Sequence, residues 1–287
     1  MILKELFIKT YQIVKFNLIL VQPLLIFLFF SGILLTTLSR INQINPAAVI
    51  FFVLTLEIFC AFLAGWFNMF HKGIELYEKP AKDDTEKAMS SLELFKEFFP
   101  GIGQHFSRFN LGFILYILMF LLMLNIAGYI GNHAIGIPQS MNPNELISMF
   151  ANENHAKEVL SKISDADKLR IAKWNLLTLL STGIFGFLTI YFIPAMICAD
   201  NTPLKALLKG VKTSFKKPIM TVLILLSFWI SIFIVSIINA VSAENFILQL
   251  VGLMLFVFCI IYFNMMIFVY FEKYCENSCH SWTDSFR

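Results

Sequence analysis

The chain has 287 residues, of which 58% are apolar and only 14% are charged, and its formal net charge is +3 at pH 7. A typical soluble domain has about a quarter charged residues, so this composition argues against a soluble globule, a disordered chain or a disulfide-stabilised miniprotein. Five cysteines without framework spacing imply no disulfide scaffold, and so mild a positive charge gives no argument for nucleic-acid binding. The composition indicates a polytopic membrane protein.

Six apolar segments are long enough to cross a bilayer, whose hydrocarbon core needs about 20 helical residues. The predicted spans are 18–38, 47–70, 111–130, 176–198, 219–241 and 246–271. We expect an all-α integral membrane fold in one domain, residues 1–287, with the six spans arranged as three hairpins. The one sizeable polar loop, 131–175, is expected to form a helical cap, and Ser164 and Asp167 in it have the spacing of a capping box.

The distribution of basic residues predicts the orientation of these spans. Of the 22 lysines and arginines, 16 lie in the N-terminal segment, the C-terminal tail and the two loops on the same side. Because basic residues concentrate on the cytoplasmic side, both termini are expected to be cytoplasmic and the 131–175 loop external. The first apolar segment is too long for a cleaved signal peptide and a second span follows closely.

A short basic segment precedes each odd-numbered span, and the third copy is the clearest. Its apolar stripe at helical spacing consists of Leu204, Leu207, Leu208, Val211 and Phe215. The lysines of its other face are Lys205, Lys209, Lys212 and Lys216. The same spacing recurs around 95–106 and 3–14, which predicts an in-plane amphipathic helix before each hairpin, with lysines contacting anionic headgroups. The simpler interpretation, that these segments are only helical lead-ins to the spans, is favoured over membrane sensing or remodelling.

Two details qualify this threefold repeat. The second copy contains Pro100 and Gly101, which are expected to kink or break it. The second span of each hairpin also ends alike, since Trp66-Phe67-Asn68-Met69 parallels Tyr262-Phe263-Asn264-Met265 and, more weakly, the sequence from Tyr191. We therefore interpret the chain as three similar units.

Glu57 is the only Asp, Glu, Lys, Arg or His within the six predicted spans. An ionised carboxylate is costly in the membrane, so this side chain is expected to face other helices. Gln22 and Asn125 are polar candidates to partner it across helices. Glu57 could couple transport to protons or anchor a substrate, or it could be a neutral acid that bonds helices together. Gly65 lies in the second predicted span and Gly183 in the fourth, and each is a weak point because glycine disfavours the helix.

No motif supports catalysis or cofactor binding. The sequence has no nucleophile elbow, zinc-protease helix, phosphate loop or paired carboxylates. The tail residues Cys275, Cys279 and His280 are zinc-ligand types, but no fourth ligand is obvious. The five histidines are scattered over loops on both predicted sides, which argues against one metal cluster. We therefore expect no enzyme, no catalytic residues, no metal and no cofactor.

The passage 191–200, followed by 203–207 and 214–217, carries a family resemblance. It resembles the "proline, apolar, Asp, then Ala-Leu-Lys-x-Ser" passage of bacterial six-helix inner-membrane proteins, a group that includes the membrane domain of some glycerophosphodiester phosphodiesterases. The resemblance implies a bacterial inner-membrane location and a hairpin bundle, without shared catalytic residues. This chain has no soluble phosphodiesterase domain, and its long outer loop departs from the group.

Together these features predict a non-enzymatic, multi-pass inner-membrane protein that binds membrane lipids, a membrane-protein partner or further copies of itself. The alternative is a small-molecule or ion transporter that uses Glu57. Nothing in the sequence suggests nucleic acid as a partner.

Overall fold

The computed structural model describes residues 3–39, 46–79, 92–136, 164–199, 201–241 and 245–273. These ranges are almost wholly helical and contain no β-strand, which confirms the all-α prediction for the described residues. The helices are α1 (Leu3–Phe16), α2 (Val21–Ser39), α3 (Pro46–Glu78), α4 (Phe98–Ala134), α5 (Asp165–Thr189), α6 (Phe192–Ile197), α7 (Pro203–Lys216), α8 (Pro218–Val241) and α9 (Phe246–Phe271). A 3₁₀ turn, Leu18–Leu20, joins α1 to α2, and residues 92–96 form a short helical stretch before α4.

Five helices in the described ranges are long and apolar enough to cross a membrane. They cover Val49–Glu78, Phe98–Ala134, Asp165–Ile197 (α5 and α6 taken together), Pro218–Val241 and Ile247–Phe271. A sixth is obtained if Leu3–Phe16 and Leu18–Leu34, which are bent by 76° relative to each other, are counted as one span. This agrees with a multi-pass helical membrane protein, as predicted.

The segment around 95–106 differs from the prediction, because it is not a separate surface helix. Helix α4 runs from Phe98 to Ala134 and so joins most of this segment to the third predicted span. Pro100 lies in the first turn of α4, where a missing backbone N–H breaks no intrahelical bond, and the expected break is absent there. Gly101 is buried, and a Cβ on it would lie 2.5 Å from Cβ of Asn68, so its lack of a side chain permits a close contact.

The described chain divides into two compact units, residues 1–115 with 187–287 and residues 116–186. In the smaller unit Phe185 packs edge-on against Tyr116 and Phe120. The backbone N–H of Asp167 donates to Oγ of Ser164 at 3.2 Å, which confirms the predicted helix start. Residues 137–163, the greater part of the predicted outer cap, lie outside the described residues.

The core of the larger unit lies where α3, α6 and α9 contact one another. Phe70, Tyr191 and Phe271 are fully buried there, and the ring of Phe67 stacks on that of Phe268 at 5.8 Å. Away from this core, large apolar side chains on α2, α3, α8 and α9 are exposed. Examples are Phe29, Val49, Phe52, Ile230 and Ile247. Such continuous apolar exposure is the surface that lipid covers in a membrane protein.

Three aromatic side chains at matching positions of the predicted repeat make polar contacts. Each bonds a group on another segment of the larger unit over 3.0–3.2 Å. The pairs are Trp66 Nε1 with the carbonyl of Leu20, Tyr191 OH with Oγ1 of Thr221, and Tyr262 OH with the carbonyl of Phe7. An aromatic ring with a polar tip thus has a similar role three times: the ring, buried for Trp66 and Tyr191 and half-buried for Tyr262, packs within the unit while the tip fixes a neighbouring segment.

Candidate functional site

Glu57, on α3, has a polar partner that the sequence did not suggest. Nδ2 of Asn110, on α4, donates to Oε2 of Glu57 over 2.6 Å, and the Glu57 side chain is half-buried. Asn110 precedes the predicted third span by one residue, so hydropathy places it in the loop before that span. Since α4 begins at Phe98, position 110 lies well inside the helix.

The two partners suggested by the sequence are placed differently. Gln22 is exposed at the start of α2. Asn125 is exposed on α4, where its amide donates to the carbonyl of Leu121 in the same helix at 2.8 Å. The arrangement of Asn125 is ordinary for a polar residue on a membrane helix, where a side chain bonds to its own backbone.

Helix α7 has three faces of different character. Its buried face is made of small residues and Leu207 and packs against α6, with Gly210 close to the backbone of Tyr191 and Phe192. Its large apolar residues are mostly exposed: Leu204 by 59%, Leu208 by 63% and Phe215 by 63%. Of the four predicted headgroup contacts, Lys205, Lys212 and Lys216 are exposed, while Lys209 is half-buried with Nζ 5.5 Å from the ring centre of Phe271.

Helix α1 uses its corresponding stripe differently. Leu6, Thr10 and Val14 are buried, and α1 packs against α9. The stripe of α1 is therefore committed to contacts within the protein, whereas most of the stripe of α7 is available to another molecule. The repeat in sequence conceals this difference, because burial depends on what each helix packs against.

A cluster of His71, Cys198 and Glu272 joins three segments that are far apart in sequence. His71 lies near the end of α3, Cys198 directly follows α6, and Glu272 directly follows α9. Nδ1 of His71 is 2.6 Å from Oε1 of Glu272, and Sγ of Cys198 is 3.6 Å from the same oxygen. One donor atom from each residue lies within 4.8 Å of the other two. Imidazole, thiol and carboxylate here form a compact, half-buried polar site.

No protein-family model, curated protein or solved structure matches the chain. The geometry of its own residues therefore carries the functional argument.

The sequence did contain a signal for this cluster. His71 follows the second predicted span, Cys198 ends the fourth, and Glu272 follows the sixth, so each lies at the end of the second span of a hairpin. In the predicted arrangement of three antiparallel hairpins those ends lie on the same side, where polar residues can meet. The scatter of the histidines over both predicted sides gives no sign of this site, because only one histidine contributes to it. The tail residues Cys275, Cys279 and His280 lie outside the described residues.

Proposed function

We propose that this chain is a non-enzymatic, six-span protein of a bacterial inner membrane that binds anionic lipid headgroups through α7. In this proposal the spans form three hairpins and both termini face the cytoplasm. The lysines Lys205, Lys209, Lys212 and Lys216 then lie at the cytoplasmic leaflet, which carries the negative surface potential.

The surface of α7 carries the proposal. Exposed Leu204, Leu208 and Phe215 share a 14-residue helix with exposed lysines, while its small residues pack against α6. Large apolar side chains exposed beside lysines suit an interfacial helix, whose apolar groups enter the acyl boundary while its cations meet phosphates. The concentration of lysines and arginines in α7 and in the loops on its side also supports a cytoplasmic location for this helix.

Reversing the charge of Lys205 and Lys212 is expected to remove a preference for anionic lipid. Each lysine near an anionic surface contributes about 1 kcal/mol, so the double change to Glu should weaken retention of phosphatidylglycerol by at least about tenfold. Native mass spectrometry of the purified protein, offered phosphatidylglycerol or phosphatidylcholine, measures the retained lipid. Lys209 is left unchanged because its ammonium contacts the buried ring of Phe271.

The matched control replaces the same two lysines by arginine, which keeps the charge and should keep the lipid preference. If the Glu variant folds normally and still retains as much phosphatidylglycerol as the parent, α7 is not the lipid-binding surface. If the Glu variant instead loses a co-purifying protein and retains its lipid, the same surface binds protein.

A second candidate function, transport coupled to Glu57, rests on the placement of that acid. It is half-buried within a helix long and apolar enough to cross a membrane, a position where carboxylates are rare and often functional. The bond from Asn110 gives it an alternative role in holding α3 against α4. The variants described in the Discussion distinguish the two roles.

A further inference from the structure

We propose that His71, Cys198 and Glu272 bind a divalent transition-metal ion of the zinc type at the meeting point of α3, α6 and α9. This site is separate from the lipid-binding surface of α7, and either could exist without the other.

The donor set itself favours zinc. Thiolate, imidazole and carboxylate are the three protein ligand types of Zn²⁺, and a site with three protein ligands keeps its fourth position for water. A thiolate among the ligands disfavours the hard ions Mg²⁺ and Ca²⁺, which prefer oxygen. Ionised Cys198 and Glu272 would together offset the two positive charges of the ion.

The distances require only small side-chain movements. With Zn–N and Zn–O of about 2.1 Å and Zn–S of about 2.3 Å, a tetrahedral site places its ligand atoms about 3.3–3.6 Å apart. The Sγ of Cys198 already lies 3.6 Å from Oε1 of Glu272. Nδ1 of His71 is 2.6 Å from that oxygen, a hydrogen-bond distance that must lengthen by less than about 1 Å as the ion replaces the shared proton.

A second carboxylate is placed to orient the imidazole. Oε1 of Glu75 is 3.3 Å from Nε2 of His71, and the other oxygen of Glu75 is held by Nζ of Lys72 at 2.8 Å. Carboxylate–histidine–zinc triads use this arrangement: the distal ring nitrogen faces a carboxylate while the proximal nitrogen binds the ion. Glu75 is therefore a positioning residue in the proposal.

The position of the cluster allows an ion to enter from water. The side chain of His71 is 19% exposed and that of Glu272 is 15% exposed, so the donors are shielded without being sealed. Because α3, α6 and α9 contact one another, an ion held here would cross-link three helix ends whose segments lie far apart in the chain. Bound metal should accordingly stabilise the folded protein.

Cobalt is the probe for the decisive experiment. The full chain is purified in mild detergent under reducing conditions, in a background with Cys275→Ser, Cys279→Ser and His280→Gln so that tail ligands cannot contribute. Titration with Co²⁺ is expected to give one equivalent of binding, with visible bands of tetrahedral cobalt and an ultraviolet thiolate-to-cobalt charge-transfer band. Absence of those bands in the tail-substituted protein would overturn the proposal, whether or not the unmodified tail binds cobalt.

Single substitutions test each assigned residue. Cys198→Ser should abolish the charge-transfer band, whereas the matched control Cys259→Ser, at another half-buried cysteine, should leave it unchanged. Glu75→Gln removes only the carboxylate that orients His71, so it should lower the affinity for cobalt about tenfold. Glu272→Gln and His71→Gln each remove a ligand and should lower that affinity by more. Retention of the full band by Cys198→Ser would overturn the assignment.

A measurement on the unmutated chain keeps the test valid if a variant misfolds. Peptide mass spectrometry measures the rate at which each cysteine is alkylated. Zn²⁺ should slow the alkylation of Cys198 and leave the alkylation rate of Cys259 unchanged. Equal rates for Cys198 with and without Zn²⁺ would overturn the proposal independently of any substitution.

Discussion

Gly65→Ala is expected to lower the free energy of unfolding by about 1–2 kcal/mol, after allowing for the better helix propensity of alanine. A Cβ at this position would lie 2.7 Å from the carbonyl oxygen of Phe98 and 3.0 Å from Cγ1 of Ile102. The nearest obstacle is backbone, so rotation of a side chain cannot relieve it and α3 must move away from α4. Thermal unfolding of the protein in detergent, followed by circular dichroism, measures the loss.

The matched control is Gly183→Ala on α5. A Cβ there meets nothing within 4 Å, so the same change should leave stability unaltered or raise it by up to about 1 kcal/mol. The sequence presented both glycines as equivalent weak points of their spans. Equal destabilisation by the two substitutions would show that the close approach of α3 and α4 is not what Gly65 provides.

Asn110→Leu is expected to destabilise the protein by about 1–2 kcal/mol, because it leaves the carboxyl of Glu57 without its amide donor. The reciprocal Glu57→Gln should cost much less, since the Gln carbonyl can accept the same bond from Asn110. Together with Glu57→Leu and the double leucine variant, these changes form a double-mutant cycle in thermal unfolding. A coupling energy of about 0.5–2 kcal/mol is expected.

The same variants separate the structural role of Glu57 from transport. If Glu57→Gln is as stable as the parent and fully complements a deletion strain, coupling through this carboxylate is excluded. If it is stable but fails to complement, the acid serves the transport function. A coupling energy near zero would instead contradict the structural role, because the 2.6 Å bond would then contribute nothing measurable.

The helices were predictable because hydropathy and period are local properties of the sequence. Predicted spans two to six each fall almost entirely within a long apolar helix. The exact start of a helix depends less on local hydropathy, and two predictions fail for this reason. The break predicted at Pro100 falls in the first turn of a helix that begins at Phe98, and Asn110, one residue before the third predicted span, lies within the same helix.

No local sequence motif identifies the polar cluster of His71, Cys198 and Glu272. Cys198 and Glu272 are 74 residues apart, and each directly follows an apolar helix, α6 or α9. Metal-ligand motifs are recognisable when the ligands share one helix or loop, whereas here three separate segments contribute one ligand each. The exposed face of α7 was unpredictable for a related reason: a stripe of the same spacing on α1 is largely buried, and α1 packs against α9.

The bond from Tyr262 to the carbonyl of Phe7 bears on how the protein is made. The two residues are 255 positions apart, and α1 packs along α9. At about 5–20 residues per second, a ribosome needs roughly 13–50 s to synthesise the intervening chain. For that time α1, whose Leu6, Ile13 and Val14 are buried in the finished protein, lacks its contacts with α9. An insertase or the bilayer surface must shelter α1 until the last helix arrives, so this early segment is where failure of assembly should first expose the chain to proteolysis.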